Sequence, residues 1–332
     1  MSRDRLHFAM PRPVPQGRFR RVPPVMFLSL LAALELSLAW AGGVRAFALP
    51  AGLAQLLGGM VTALAAFALF AYACKLARRP AVLAEEVAIL PGRTGVAAGV
   101  LCLYLLAALV GAMMNRGAGL VLLCLGLLCH AVLLATLARV LREGPAERRQ
   151  VSPDWHLSLA GLAVASRAAL ALGWPILAGA LALPAILAAL AIWVLSLRQI
   201  LTARVPAPLR VLLALHSASV AAMAILALGL GWTGAGTLLA WAALGSVLAM
   251  VFGARWLLAG GFSAFWGAPA LALALTASAW VALWTAQPTE PHRVIAGLLL
   301  ALATLVVLPV FVMVLREWMQ NRLPARSNAA IA

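Results

Sequence analysis

Ten apolar stretches of about 20 residues follow one another along this chain, separated by short breaks rich in arginine, glycine or proline. A helix rising 1.5 Å per residue needs about that length to cross the ~30 Å hydrocarbon core of a bilayer. The first five runs cover Val25–Phe47, Leu53–Lys75, Gly95–Met114, Ala118–Leu141 and His156–Leu172. The second five cover Ile176–Leu197, Leu209–Leu230, Thr237–Leu258, Phe265–Trp284 and Val294–Leu315. With 65% of its residues hydrophobic and a mean hydropathy of +1.03, the chain carries more apolar side chains than a soluble core can hide, since ordinary globular usage is nearer half. Alanine and leucine dominate the runs, both strong helix formers, and no segment shows the alternation of a barrel strand. The expected fold class is all-α, a polytopic membrane protein of ten transmembrane helices.

Charge supplies the orientation. The net charge of +16 comes from 24 arginines and the single Lys75, against nine carboxylates. With the N-terminus placed in the cytoplasm, 21 of these cations fall on the inner side and only Arg45, Arg116 and Arg293 on the outer side, with Arg167 inside a span. An odd helix count would scramble that segregation. Residues 1–23 are expected to form a disordered basic cytoplasmic tail, 24–316 the membrane domain, and 317–332 a short cytoplasmic tail. The first run is long and followed by others, so it reads as an uncleaved span in a bacterial-type inner membrane and not as a signal peptide. Outer links such as "LPAG" and "GWTGAG" are short, while inner links are longer and charged, which pairs the helices as five hairpins. No basic face with interleaved aromatics lies outside the runs, and nucleic acid is excluded as a partner.

Several motifs are read by context. Gly229, Gly231 and Gly234 spell G-x-G-x-x-G but link two apolar helices, so they make a turn and not a dinucleotide site. Gly95 and Gly99 form G-x-x-x-G, a spacing that allows close helix approach. Cys74, Cys102, Cys124 and Cys129 all lie inside apolar runs and read as small packing residues. No catalytic constellation or metal-ligand spacing stands out, so no enzyme activity, cofactor or metal is expected. Trp40, Trp155, Trp174, Trp232, Trp280 and Trp284 lie near run ends and read as interfacial anchors.

The ionisable residues inside the runs are the candidate site, because a charge at the bilayer centre costs ~2.5–3.5 kcal/mol or more unless paired or hydrated. Glu35 lies about 15 Å along the first run and Arg167 about 16 Å along the fifth, both counted from the inner side. The shared depth allows a pair that lines or gates a pathway, a purely structural clamp, or two residues that never meet. His216 sits some 10 Å into the seventh run, and either a hydrogen-bonded packing role or a ligand or proton role fits it. His130, in the fourth run beside Cys129, reads as packing.

The pieces "RRVPPVMFLSLLAALELSLAW", "KLARRPAVLAEE", "RVPAPLR" and "FGARWLLAGGFSAFWGAPALALALTASAW" resemble, in this order, the tellurite-resistance/dicarboxylate transporter family, which includes the plant guard-cell slow anion channels. The resemblance implies five inner helices around a central pore, a small anion as substrate and a homotrimer. It also implies that Gly99 and Ser219 stand at two positions where the family's inner helices carry a kinking proline. The family's gating aromatic falls at Ala270, beside Pro269, and Glu35 replaces a small pore residue. The implied function is an anion channel or permease. A proton-coupled organic-acid carrier with a titrating Glu35, and a non-transporting membrane scaffold clamped by Glu35 and Arg167, are the alternatives.

The charge segregation generates a topology prediction. Single cysteines placed within 1–23, 142–154 and 316–332 should react with a membrane-impermeant maleimide only after the inner face is exposed. Labelling of either terminus from the outside of intact cells would rule the ten-span topology out.

Overall fold

The computed structural model describes residues 17, 19–202 and 205–332. The major helices are α1 (Phe27–Ala46), α2 (Ala51–Arg78), α3 (Leu90–Met113), α4 (Arg116–Glu143) and α5 (His156–Ala171). They continue as α6 (Pro175–Thr202), α7 (Ala214–Gly229), α8 (Thr233–Phe252), α9 (Gly267–Ala286) and α10 (Glu290–Met319). Among the described residues, nine of these are long and apolar enough to cross a membrane. The fifth differs from expectation: His156–Ala171 is apolar but 16 residues long, about 24 Å at the α-helical rise. It opens as a π-helix over His156–Ala160, which shortens the axial reach of its first turn.

The turns follow from local chemistry. Gly173 and Gly231 take φ of +74° and +80° between α5 and α6 and between α7 and α8, a conformation that only glycine reaches without strain. The G-x-G-x-x-G run is thus a helix–helix turn, as its context implied. Asn115 caps α4 by accepting from the Gly117 amide at 2.6 Å, and the Thr289 side chain caps α10.

Burial divides the helices into two classes. In α1, α3, α7 and α9, 72–83% of the apolar window is buried, against 22–39% in α2, α4, α6, α8 and α10. The exposed side chains of the second class are large and apolar, among them Leu56, Val121, Ile176, Leu238 and Leu305. Water does not tolerate so continuous an apolar coat, so the chain is membrane-embedded. The buried helices touch in a closed sequence, α1 to α3 to α5 to α7 to α9 and back to α1, and each also packs against the helix that follows it in the chain.

The end of this ring where the odd helices begin is sealed by backbone. A Cβ at Gly95 of α3 would lie 2.2 Å from the Pro24 carbonyl carbon, so the G-x-x-x-G spacing does bring α3 against the start of α1. Short 3-10 turns precede α1 (Pro24–Met26), α7 (Ala207–Leu213) and α9 (Ala264–Trp266) at the same end. Two buried ion pairs lock it. Arg93 of α3 donates to Asp154, just before α5, at 2.6 Å. Lys75 of α2 meets Glu86, on the short helix Val82–Val87, at 2.5 Å, and also donates to the Val22 carbonyl at 2.8 Å. Tyr72 donates to the other Glu86 oxygen. Burial pushes the Glu86 carboxyl above its ordinary value, partly opposed by Lys75.

The tail expected over 1–23 falls mostly outside the described residues. Its last part is packed, with the Phe19 ring edge-on to Phe67 and Phe70 and Val22 buried. Trp280 is a second departure. It is fully buried, donates to the Ala240 carbonyl at 3.1 Å and stacks edge-on to Trp241, so it is a core residue and not an interfacial anchor.

Candidate functional site

Each odd helix turns one face toward the centre of the ring. On α9 that face carries Leu271, Leu275, Ser278, Ala282 and Thr285, spaced three and four apart as a single helical stripe requires. On α1 it carries Leu31, Glu35, Leu38, Gly42 and Arg45. Two cavities lie within these faces in series. The one nearer the sealed end is about 40 Å³, walled chiefly by Leu31, Leu101, Leu105, Leu215, Leu271 and Leu275. That volume holds a few waters at most. The one nearer the short hairpin turns is about 710 Å³. Its charged lining side chains, among the described residues, are Arg45 and Arg167, and no carboxylate faces it.

Between the cavities lies the ion pair that shared depth suggested. Arg167 Nη1 donates to Glu35 Oε1 at 2.6 Å, and Ser278 Oγ donates to the same oxygen at 2.5 Å. Glu35 is 1% exposed and the Arg167 side chain 23%. Glu35 lines the narrow cavity and Arg167 the wide one, and the arginine side chain bridges the step. Helical side chains lean toward their N-terminus, so Arg167 reaches back toward Glu35 from a position nearer the hairpin end. One carboxylate oxygen therefore ties α1, α5 and α9 together.

A second polar contact lies beside the narrow cavity. His156 Nε2 and His216 Nδ1 share a hydrogen bond of 2.9 Å, with the rings edge-to-face at 5.0 Å between centroids. His156 lines the cavity, as does Ser219. His130 lies elsewhere, between Tyr104 and the Ser158 carbonyl at 3.0 and 2.8 Å. A carbonyl only accepts, so His130 carries its proton on Nε2 and takes the Tyr104 hydroxyl on Nδ1. It is a satisfied packing residue.

Four residues expected on the axis line neither axial cavity: His216 reaches the narrow one only through its bond to His156, and Gly99, Pro269 and Ala270 stand off both. Gly99 faces the Phe27 ring, where an added Cβ would be 3.0 Å from the ring, and lines an apolar cavity between α2, α3 and α4. Pro269 occupies the first turn of α9, where a proline needs no amide partner, and Ala270 is buried; neither lines an axial cavity. The neighbouring leucines Leu271 and Leu275 take the inward face instead. Sequence reading also missed His156 and Ser278. Ser278 and Thr285 are polar residues two helical turns apart in an apolar run, which marks a shared face.

Among the described residues no cluster of three or more His, Cys, Asp or Glu side chains could hold a metal.

The ion pair predicts strong coupling. Removing one partner leaves a buried charge uncompensated, typically at a cost of about 3–5 kcal/mol. Arg167→Gln should therefore lower the thermal unfolding temperature in detergent sharply, while Glu35→Gln with Arg167→Gln is milder than the singles predict together. Additive changes, with coupling under about 0.5 kcal/mol, would show that the contact carries no energy.

No protein-family model matches this chain, and no match to it is found among curated proteins.

Proposed function

We propose that the ring is a pathway for a small anion, a channel or permease of the tellurite-resistance/dicarboxylate transporter type, in a bacterial-type inner membrane. The observation that carries this reading is the charge asymmetry of the axial cavities. A cavity of about 710 Å³ presents Arg45 at its mouth and Arg167 at its floor, and the nearest carboxylate, Glu35, is turned to the far side and neutralised. A low-dielectric vestibule lined by one sign of charge concentrates the opposite ion. The resemblance of four ordered sequence pieces to that family points the same way.

In this reading α5 is a short tenth span and the ten helices pair as five hairpins. Both termini face the cytoplasm and the wide cavity opens outward. The anion sheds water as it meets Arg167 and Ser278. Past them the leucines close the path, because a dry apolar constriction excludes ions until it wets. Leu271 and Leu275 do what the family's aromatic plug would do from Ala270. A scaffold role would leave a positively lined vestibule without a purpose.

Flux into liposomes tests the reading. With the protein reconstituted, gradients of chloride, nitrate and malate are compared by anion-sensitive dyes or isotope uptake. At least one should enter faster than into empty liposomes. Leu275→Ala should raise its rate on the order of tenfold, the change given by a ~1.4 kcal/mol lower barrier. Arg45→Glu should slow entry about threefold to tenfold, because the mouth then repels anions. No flux above background for any anion, in wild type and in Leu275→Ala, would overturn the proposal.

A further inference from the structure

A cavity of about 590 Å³ lies on the flank of the ring, off the axis, walled by α2, α3 and α4. α2 and α4 each pack on α3 but scarcely on each other, so the space opens between them. Ala66, Phe70 and Ala73 of α2 and Leu125, Leu128 and Val132 of α4 line it, and all six are also exposed on the coat that faces the bilayer. Its floor is Gly99 of α3 beside the Phe27 ring, where the missing side chain deepens the space.

The walls offer nothing to a polar guest. Of the lining residues only Thr62, Tyr72 and Cys129 carry a polar side-chain atom. The Thr62 hydroxyl is buried within the wall, and the Tyr72 hydroxyl is given to Glu86. Water finds no set of partners here, and protein interiors do not keep a space of this size empty. Hydrocarbon is what fills it.

Length and charge say which hydrocarbon. Along α3 the lining runs from Val96 to Val110, about 21 Å at the α-helical rise. One leaflet contributes about 15 Å of hydrocarbon core, so an acyl chain of that leaflet fits along the cavity. The end at Leu76, Leu83 and Val96 is the sealed end of the ring, where α2 and α4 both finish in cations. Arg78 and Arg79 follow Leu76 within a turn. Arg139 continues the stripe of Leu125, Leu128 and Val132 two turns on, and as a helical side chain it leans back toward them. Arg142 is exposed near it and makes no ion pair among the described residues. The exposed carboxylates described at these two ends are Glu85, paired with Arg79, and Glu143, paired with Arg139. Four arginines against two carboxylates leave an excess of positive charge at headgroup level.

We propose that this cavity is a lipid site, which takes one acyl chain of an anionic phospholipid whose phosphate lies at Arg139 and Arg142. The lipid bridges α2 and α4, which the protein itself leaves apart. Hydrocarbon gains little by leaving other lipid for protein, so the chain supplies the fit and the headgroup charge supplies the selectivity. The site is independent of whatever crosses the axis.

Native mass spectrometry of the full chain reads the site, with dioleoyl phosphatidylglycerol and dioleoyl phosphatidylcholine supplied in equal amounts. The wild type should retain the anionic lipid about fivefold or more over the zwitterionic one, the selectivity of at least one arginine near the surface. Arg139→Gln with Arg142→Gln should remove most of that preference. Ala66→Trp with Ala73→Trp, both on the exposed coat where a large side chain is tolerated, should cut retention of the anionic lipid about tenfold. Phosphatidylglycerol carrying a diazirine midway along one acyl chain then locates the chain in the wild type, without any variant. On irradiation its adducts should concentrate in residues 62–76 and 122–133, well above those on α6, α8 and α10. Equal retention of the two lipids by the wild type would overturn the proposal. Undiminished retention in the tryptophan variant would do the same, as would adducts spread evenly over the outer helices like a general lipid coat. A groove free of adducts, because a second copy of the chain covers it, would also overturn it.

Discussion

A carboxylate inside hydrocarbon has to find its counter-charge within the protein, and the Glu35–Arg167 contact is where this chain meets that demand. Glu35 is all but fully buried, and its Oε1 accepts from both Arg167 and Ser278. Those donors come from α5 and α9, which reach α1 around opposite sides of the ring. The contact therefore requires α1, α5 and α9 to face one axis, and α3 and α7 close the gaps between them. It also sets the polarity of the axis, because the arginine faces the wide cavity and the carboxylate the narrow one.

The remaining buried ion pairs act at one end only. Arg93–Asp154 and Lys75–Glu86 lie where the odd helices begin, together with the 3-10 and π turns and the backbone contact at Gly95. Desolvated charges held this way contribute little net stability, but breaking one is expensive, so they enforce a single arrangement of the helix starts. The opposite end has short turns and exposed arginines, and it stays wide. A tight base and an open mouth follow from where the charges are buried.

Much of this was legible in the sequence because hydrocarbon imposes so few solutions. Apolar run lengths marked the helices, glycines marked the turns, and matched depth pointed Glu35 at Arg167. Rotation of each helix was the harder quantity. Alanine and leucine cover all sides of α3 and α9, so no apolar stripe distinguishes the axial face from the packed one. Gly99, Pro269 and Ala270 are placed on the axis by the family resemblance alone, and the structure turns Leu271 and Leu275 toward it instead. The same limit hid His156. Read as the first residue of its run, it counts as an end residue, whereas in the structure it is buried and hydrogen-bonded to His216.

The central claim is that the Glu35–Arg167–Ser278 contact divides a wide, positively lined cavity from a closed leucine segment. Cysteine reactivity measures that division directly. In a chain stripped of its four native cysteines, Ala282→Cys should react with an anionic thiosulfonate several-fold faster than with a cationic one, as expected beside two arginines. Leu275→Cys, two helical turns farther in, should resist both reagents. Faster cationic modification at 282, or equal reactivity at 275 and 282, would contradict the account.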